Sequence, residues 1–135
     1  MGASEYNFSI EKGTSFLLTL RYKNANGQIV DITDYCARIV MTTDLSTVLT
    51  FSTDNVNLAD YNFVIDGPQG LISWMLPAAT TETFNFHLAN YDFELQSPNE
   101  IYSGGGKDIS RIIFGTLNII ERHSELNTIL DCNNG

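Results

Sequence analysis

The chain has 135 residues, 43% of them apolar and 17% charged, which is about the size of one domain. Seven Lys and Arg stand against sixteen Asp and Glu, for a net charge of −9. That balance excludes nucleic acid and anionic membranes as partners, because neutralising phosphates requires a positive surface. A domain of this length buries roughly 68–70% of the surface its unfolded chain exposes. Folding therefore requires no disulfide framework, structural metal or cofactor, and Cys36 and Cys132 imply none.

Taken in chain order, Met1 to Tyr6 lacks the basic and apolar regions of a secretory signal. No apolar run approaches the roughly 20 residues of a bilayer span. The expectation is a protein made in the cytoplasm with reduced cysteines. Phe16, Leu18, Leu20 and Tyr22 then alternate with Leu17, Thr19 and Arg21, the period of a strand with one buried face. Asn24-Ala25-Asn26-Gly27 predicts a hairpin turn before Ile29 and Val30. Ala37, Ile39 and Met41 form the next inward face, and Val48 to Phe51 a short Thr-containing strand. Asp66-Gly67-Pro68-Gln69-Gly70 predicts a turn between strands at Phe63–Ile65 and Leu71–Leu76.

Pro77 opens one helical turn reaching Phe84. Ala89, Tyr91, Phe93 and Leu95 alternate with Asn90, Asp92, Glu94 and Gln96, and Ser97-Pro98-Asn99-Glu100 is read as the end of that strand. A glycine loop at Gly104-Gly105-Gly106-Lys107 leads into Arg111–Glu121. There Ile113, Leu117 and Ile119 share one face while Ile112, Phe114 and Ile120 share the other. The expectation is a strand covered on both sides. The fold class that follows is all-β: a single antiparallel, immunoglobulin-like β-sandwich of seven or eight short strands with one helical turn. Residues 1–121 form the sandwich with its N-terminal arm, and residues 122–135 a C-terminal tail.

Candidate chemistry is sparse. Asp92 and Glu94 have the residue types for general acid–base work, but lie on the wet face of their strand. Gly104-Gly105-Gly106-Lys107 departs from a phosphate-binding loop at Ile101 and Asp108, and precedes a strand instead of a helix. His87 and His123 lack partners at metal-ligand spacing. Asp31-Ile32-Thr33-Asp34 and Asp54–Asp60 carry oxygen ligands, yet neither matches the calcium-loop pattern, and side-chain-stabilised turns account for them. Trp74, Phe84, Phe86 and Tyr91 are expected in the core.

The ordered set of short motifs carries a resemblance. It begins with Tyr6-Asn7-Phe8-Ser9-Ile10, Gly13-Thr14-Ser15-Phe16, Asn26-Gly27, Asp31-Ile32-Thr33-Asp34-Tyr35 and Ala37-Arg38. Leu76-Pro77-Ala78-Ala79, Tyr91-Asp92-Phe93-Glu94-Leu95 and Arg111-Ile112-Ile113-Phe114-Gly115 complete it. This order resembles small virion structural proteins of tailed bacteriophages, and is similar to the N-terminal β-sandwich of upper baseplate proteins and related tail modules. One departure is Asp34, where the pattern has Gly before Tyr35.

The resemblance implies a non-enzymatic virion protein that assembles with other phage structural proteins, as a connector or in fibre attachment, within a homo-oligomer or symmetric assembly. A capsid decoration protein or a host-glycan-binding surface module is the alternative. The partner contacts expected are Tyr6 and Phe8 in the arm, Lys107 and Asp108 beside the glycine loop, and Arg122, Leu126 and Ile129 in the tail.

Overall fold

A computed structural model describes residues 3–54, 59–100 and 107–121, with 99 and 100 placed by their backbone alone. Among these residues the alternating pattern becomes nine strands and one helical turn. The arm supplies β1 (Ser4–Glu5) and β2 (Phe8–Glu11). Then come β3 (Phe16–Arg21), β4 (Cys36–Thr43), β5 (Val48–Ser52), β6 (Asn62–Asp66) and β7 (Leu71–Leu76). Helix α1 (Ala78–Glu82) precedes β8 (Leu88–Glu100) and β9 (Lys107–Ile120). The count exceeds seven or eight because the arm pairs in two pieces.

Two sheets result, one ordered β1-β9-β8-β4-β5 with β2 also on β9, the other β3-β7-β6. Leaving the arm aside, this is the partition of an immunoglobulin-like sandwich. The arm pairs parallel to β9, with Ser4 opposite Ile113 and Phe8 opposite Leu117. Inward faces meet as the alternation requires. Leu18 stands opposite Trp74, and Ile39 lies between Phe51 and Phe93. Trp74, Ile39, Met41, Phe93 and Leu117 are fully buried, each large apolar side chain contributing about 1.5–3 kcal/mol. Phe84, Phe86 and Tyr91 join them in the core, as expected.

Two strands depart from the simple pattern. In β9 the register against β8 slips, with Phe93 opposite Ile113 but Glu94 opposite Arg111. Ile112 is the extra residue of a bulge. The slip lets Ile112 and Ile113 both pack against the core. Apolar residues at successive positions here thus reflect a bulge; Ile120, by contrast, is exposed. β8 continues through Pro98 to Glu100, past the end read from the sequence. Its pairing is irregular between Gln96 and Glu100, which accommodates a residue with no N–H to give.

The turns are held by short side chains. Asn24 Oδ1 accepts from the N–H groups of Asn26 and Gln28 at 2.9 and 3.0 Å, closing the predicted hairpin on a single Lys23–Ile29 bridge. Gly13 and Gly27 adopt φ of 78° and 79°, values that glycine takes without steric cost. Pro77 occupies the N-cap position of α1, and the buried Thr81 hydroxyl ties that helix to the turn after β2. Its Oγ1 donates to the Thr14 carbonyl at 2.7 Å and accepts from the Gly13 N–H at 3.0 Å.

Candidate interaction surface

Running alongside β9, the arm passes Gly115 between the short β1 and the longer β2. A Cβ on Gly115 would lie 2.4 Å from the Tyr6 carbonyl oxygen and 2.5 Å from Asn7 Oδ1. The missing side chain is what allows the arm so close. Asn7 Oδ1 accepts from the Thr116 N–H at 2.9 Å, and the Tyr91 hydroxyl donates to the Tyr6 carbonyl at 2.5 Å. Burial holds the Tyr91 hydroxyl's pKa well above the ordinary tyrosine range, with Tyr6 adding to the shift. Phe8 stacks on Phe16 at 5.3 Å and meets Tyr91 edge-on at 5.2 Å. Of the two arm rings expected at a partner contact, Phe8 is thus half-buried in its own domain, while Tyr6 is 47% exposed.

The outer face of the large sheet carries the two carboxylates. Glu94 accepts from Arg38 at 2.5 Å and Asp92 from Arg111 at 3.2 Å. The Arg111 guanidinium also lies 4.4 Å above the Phe114 ring. Exposed pairs of this kind contribute about 0.2–1 kcal/mol each, and they commit the carboxylates to cross-strand pairing.

Lys107 and Asp108 are the first residues of β9, not part of a loop. The Asp108 N–H donates to Ser97 Oγ at 2.8 Å, and its carboxylate accepts from Ser110 at 3.2 Å. Lys107 is exposed. It lies about 20 Å, at strand rise, before Ile113, where arm pairing begins, so the fold does not gather these four contact residues into one patch. Arg122, Leu126 and Ile129 lie outside the described residues.

No family model and no curated protein matches this chain.

The loops have their own uses for their polar groups. Asp31 Oδ1 accepts from the Thr33 N–H at 2.9 Å and the Thr33 hydroxyl at 2.5 Å. These bonds hold its carboxyl below the usual carboxylate range. Asp34 adopts φ of 66°, a left-handed conformation that glycine takes without steric cost. Among the described residues no three His, Cys, Asp or Glu side chains gather as a metal site. Among them, too, no helix is long and apolar enough to cross a membrane.

One feature was missed by reading the sequence. A groove of about 220 Å³ opens between the end of β3 and the start of β9. Leu20 and Tyr22 face Ile112 and Ile113 across it, with Arg21, Lys23 and Arg111 also along its lining. The available signal was the placing of Arg21 and Lys23 two residues apart in an otherwise acidic chain.

Proposed function

We propose that this chain is a non-enzymatic structural protein of a tailed-phage virion, a small β-sandwich that assembles with other tail or baseplate components. The observation that carries the reading is the ordered series of motifs from Tyr6 to Glu121, whose members serve turns and strand packing. Gly13 and Asp34 make positive-φ turns, while Tyr91 and Gly115 seat the arm. Asp92 and Glu94, the residues best suited to acid–base chemistry, are paired with arginines on an outer face. A glycan-binding role finds less support, because Tyr6 alone among the described aromatic rings is exposed. Among the described residues that leaves no platform of rings on which sugars could stack.

The test is mass spectrometry of gradient-purified particles from infected cells, with a map of the intact virion to locate the chain. Its presence at a fixed copy number per particle is expected. Abundance in the infected cell together with absence from the particles would overturn the reading.

A further inference from the structure

The sandwich is open along one edge. β3 is an outer strand of its sheet, and the arm joins β9 only from Ile113 onward. Among the described residues, Ser110 to Ile112 therefore have β8 as their sole strand neighbour. The groove lies at this opening. Its walls, Leu20, Tyr22, Ile112 and Ile113, are partly buried hydrophobics packed against the core. A volume of about 220 Å³ falls below the roughly 300–1,000 Å³ of small-molecule sites. It suits one or two apolar side chains delivered by an extended segment, added at a free sheet edge.

Charge narrows the choice of segment. Three of the seven Lys and Arg line this one groove, in a chain with sixteen Asp and Glu. Arg111 is engaged by Asp92. Neither Arg21 nor Lys23 has an ion-pair partner among the described residues. The complementary segment is apolar, extended and flanked by carboxylates.

We infer that the groove receives residues 124–131 of a second copy of the chain, an inference that rests on the assembly reading above. That segment reads Ser124-Glu125-Leu126-Asn127-Thr128-Ile129-Leu130-Asp131. At the period of a strand, Leu126 and Leu130 share one face, and Glu125 and Asp131 the other. The first pair enters the groove while the second meets Arg21 and Lys23 at its rim. The chain's own copy of the segment cannot seat both leucines there: Ile112 and Ile120 are about 26 Å apart along β9 at strand rise, whereas the stretch from Glu121 to Leu126 spans at most about 17 Å. A groove on one copy filled by the tail of the next is a head-to-tail contact, which closes into a ring or continues as a filament.

Sedimentation of the full-length chain over a range of concentrations tests this. Self-association is expected, weakening as salt screens the rim charges. The double variant Arg21→Glu/Lys23→Glu should weaken it about tenfold or more, and so should Glu125→Lys/Asp131→Lys. Combining all four changes should restore it, which a general loss of folding would not do. Circular dichroism melts check that each variant is folded. A full-length chain that stays monomeric overturns the inference, as does association indifferent to all four positions. If the chain is monomeric yet present in particles, the inference fails and the assembly reading stands. If it associates through the groove but is absent from particles, the reading fails and the groove contact stands.

Discussion

The Tyr91 hydroxyl donates to the Tyr6 carbonyl across 2.5 Å, joining the first half of β8 to the connection between β1 and β2. This bond fastens the arm at the point where it leaves one stretch of β9 for the next. Tyr91→Phe keeps the buried ring and removes only the donor. Leaving a partly buried carbonyl without its partner costs about 1–3 kcal/mol. Denaturant titration should show a lower midpoint with little change in slope.

The same hydroxyl predicts an alkaline limit. Its folded-state pKa is raised from the ordinary 10.0 by burial first and by Tyr6 second. Below about pH 10 both folded and unfolded tyrosine are protonated, and the contribution is fully present. As pH rises further the unfolded chain gives up its proton first, so stability falls. The decline above pH 10 should be shallower in Tyr91→Phe than in the parent, as measured by urea midpoints at stepped pH. Equal slopes would show that this hydroxyl is not responsible.

Gly115→Ala places a methyl group against Tyr6 and Asn7 at distances no real contact permits. The arm must move, at a cost of about 1–3 kcal/mol. Amide hydrogen exchange should quicken at Tyr6 and along β2, while the β3-β7-β6 sheet is unaffected. Gly27→Ala is the control. It strains a φ of 79° but meets nothing within 4 Å, so it should cost less and leave arm exchange unchanged.

How much of this could be read beforehand depends on sequence distance. Ala89, Tyr91, Phe93 and Leu95 announced their inward face because a strand's period is local, and Pro77 announced α1 for the same reason. The β9 bulge stayed hidden. One inserted residue, Ile112, looks like an apolar strand face until its register against β8 is known. Gly115 was legible as a glycine in a strand, but its use depends on Asn7, more than a hundred residues earlier. The groove was illegible for a like reason: Tyr22 and Ile112 become neighbours only when the two sheets stack.

Thr81 makes a two-sided bond to the turn after β2, as donor to Thr14 and acceptor from Gly13. Thr81→Val keeps the shape and removes both bonds, for a loss of about 1–3 kcal/mol. Thr81→Ser, retaining the hydroxyl, should recover most of it. Thermal melts of the pair separate the bond from the lost methyl group.

Asp34 sits at φ of 66°, where an L side chain costs about 1–2 kcal/mol and Asp somewhat less. Asp34→Gly relieves that strain, partly offset by the greater freedom of glycine in the unfolded chain. A net gain of about 0.5 kcal/mol is expected from those opposing effects. Asp34→Val should lose about 1 kcal/mol or more, since a β-branched residue tolerates this region worst. Chemical denaturation of the two variants checks the sign.

The parallel pairing of the arm with β9 has a mechanical meaning. β2 and β9 run side by side in the same direction, so chain entering at β1 and chain leaving at β9 pull at opposite ends of one seam. A load applied between them slides the two strands along each other and stretches the Phe8–Glu11 ladder and the Tyr91–Tyr6 bond together. It cannot peel them apart one at a time. The pairing thus resists a pull along its own length, and it would yield far more readily to one that lifts β2 sideways off the sheet.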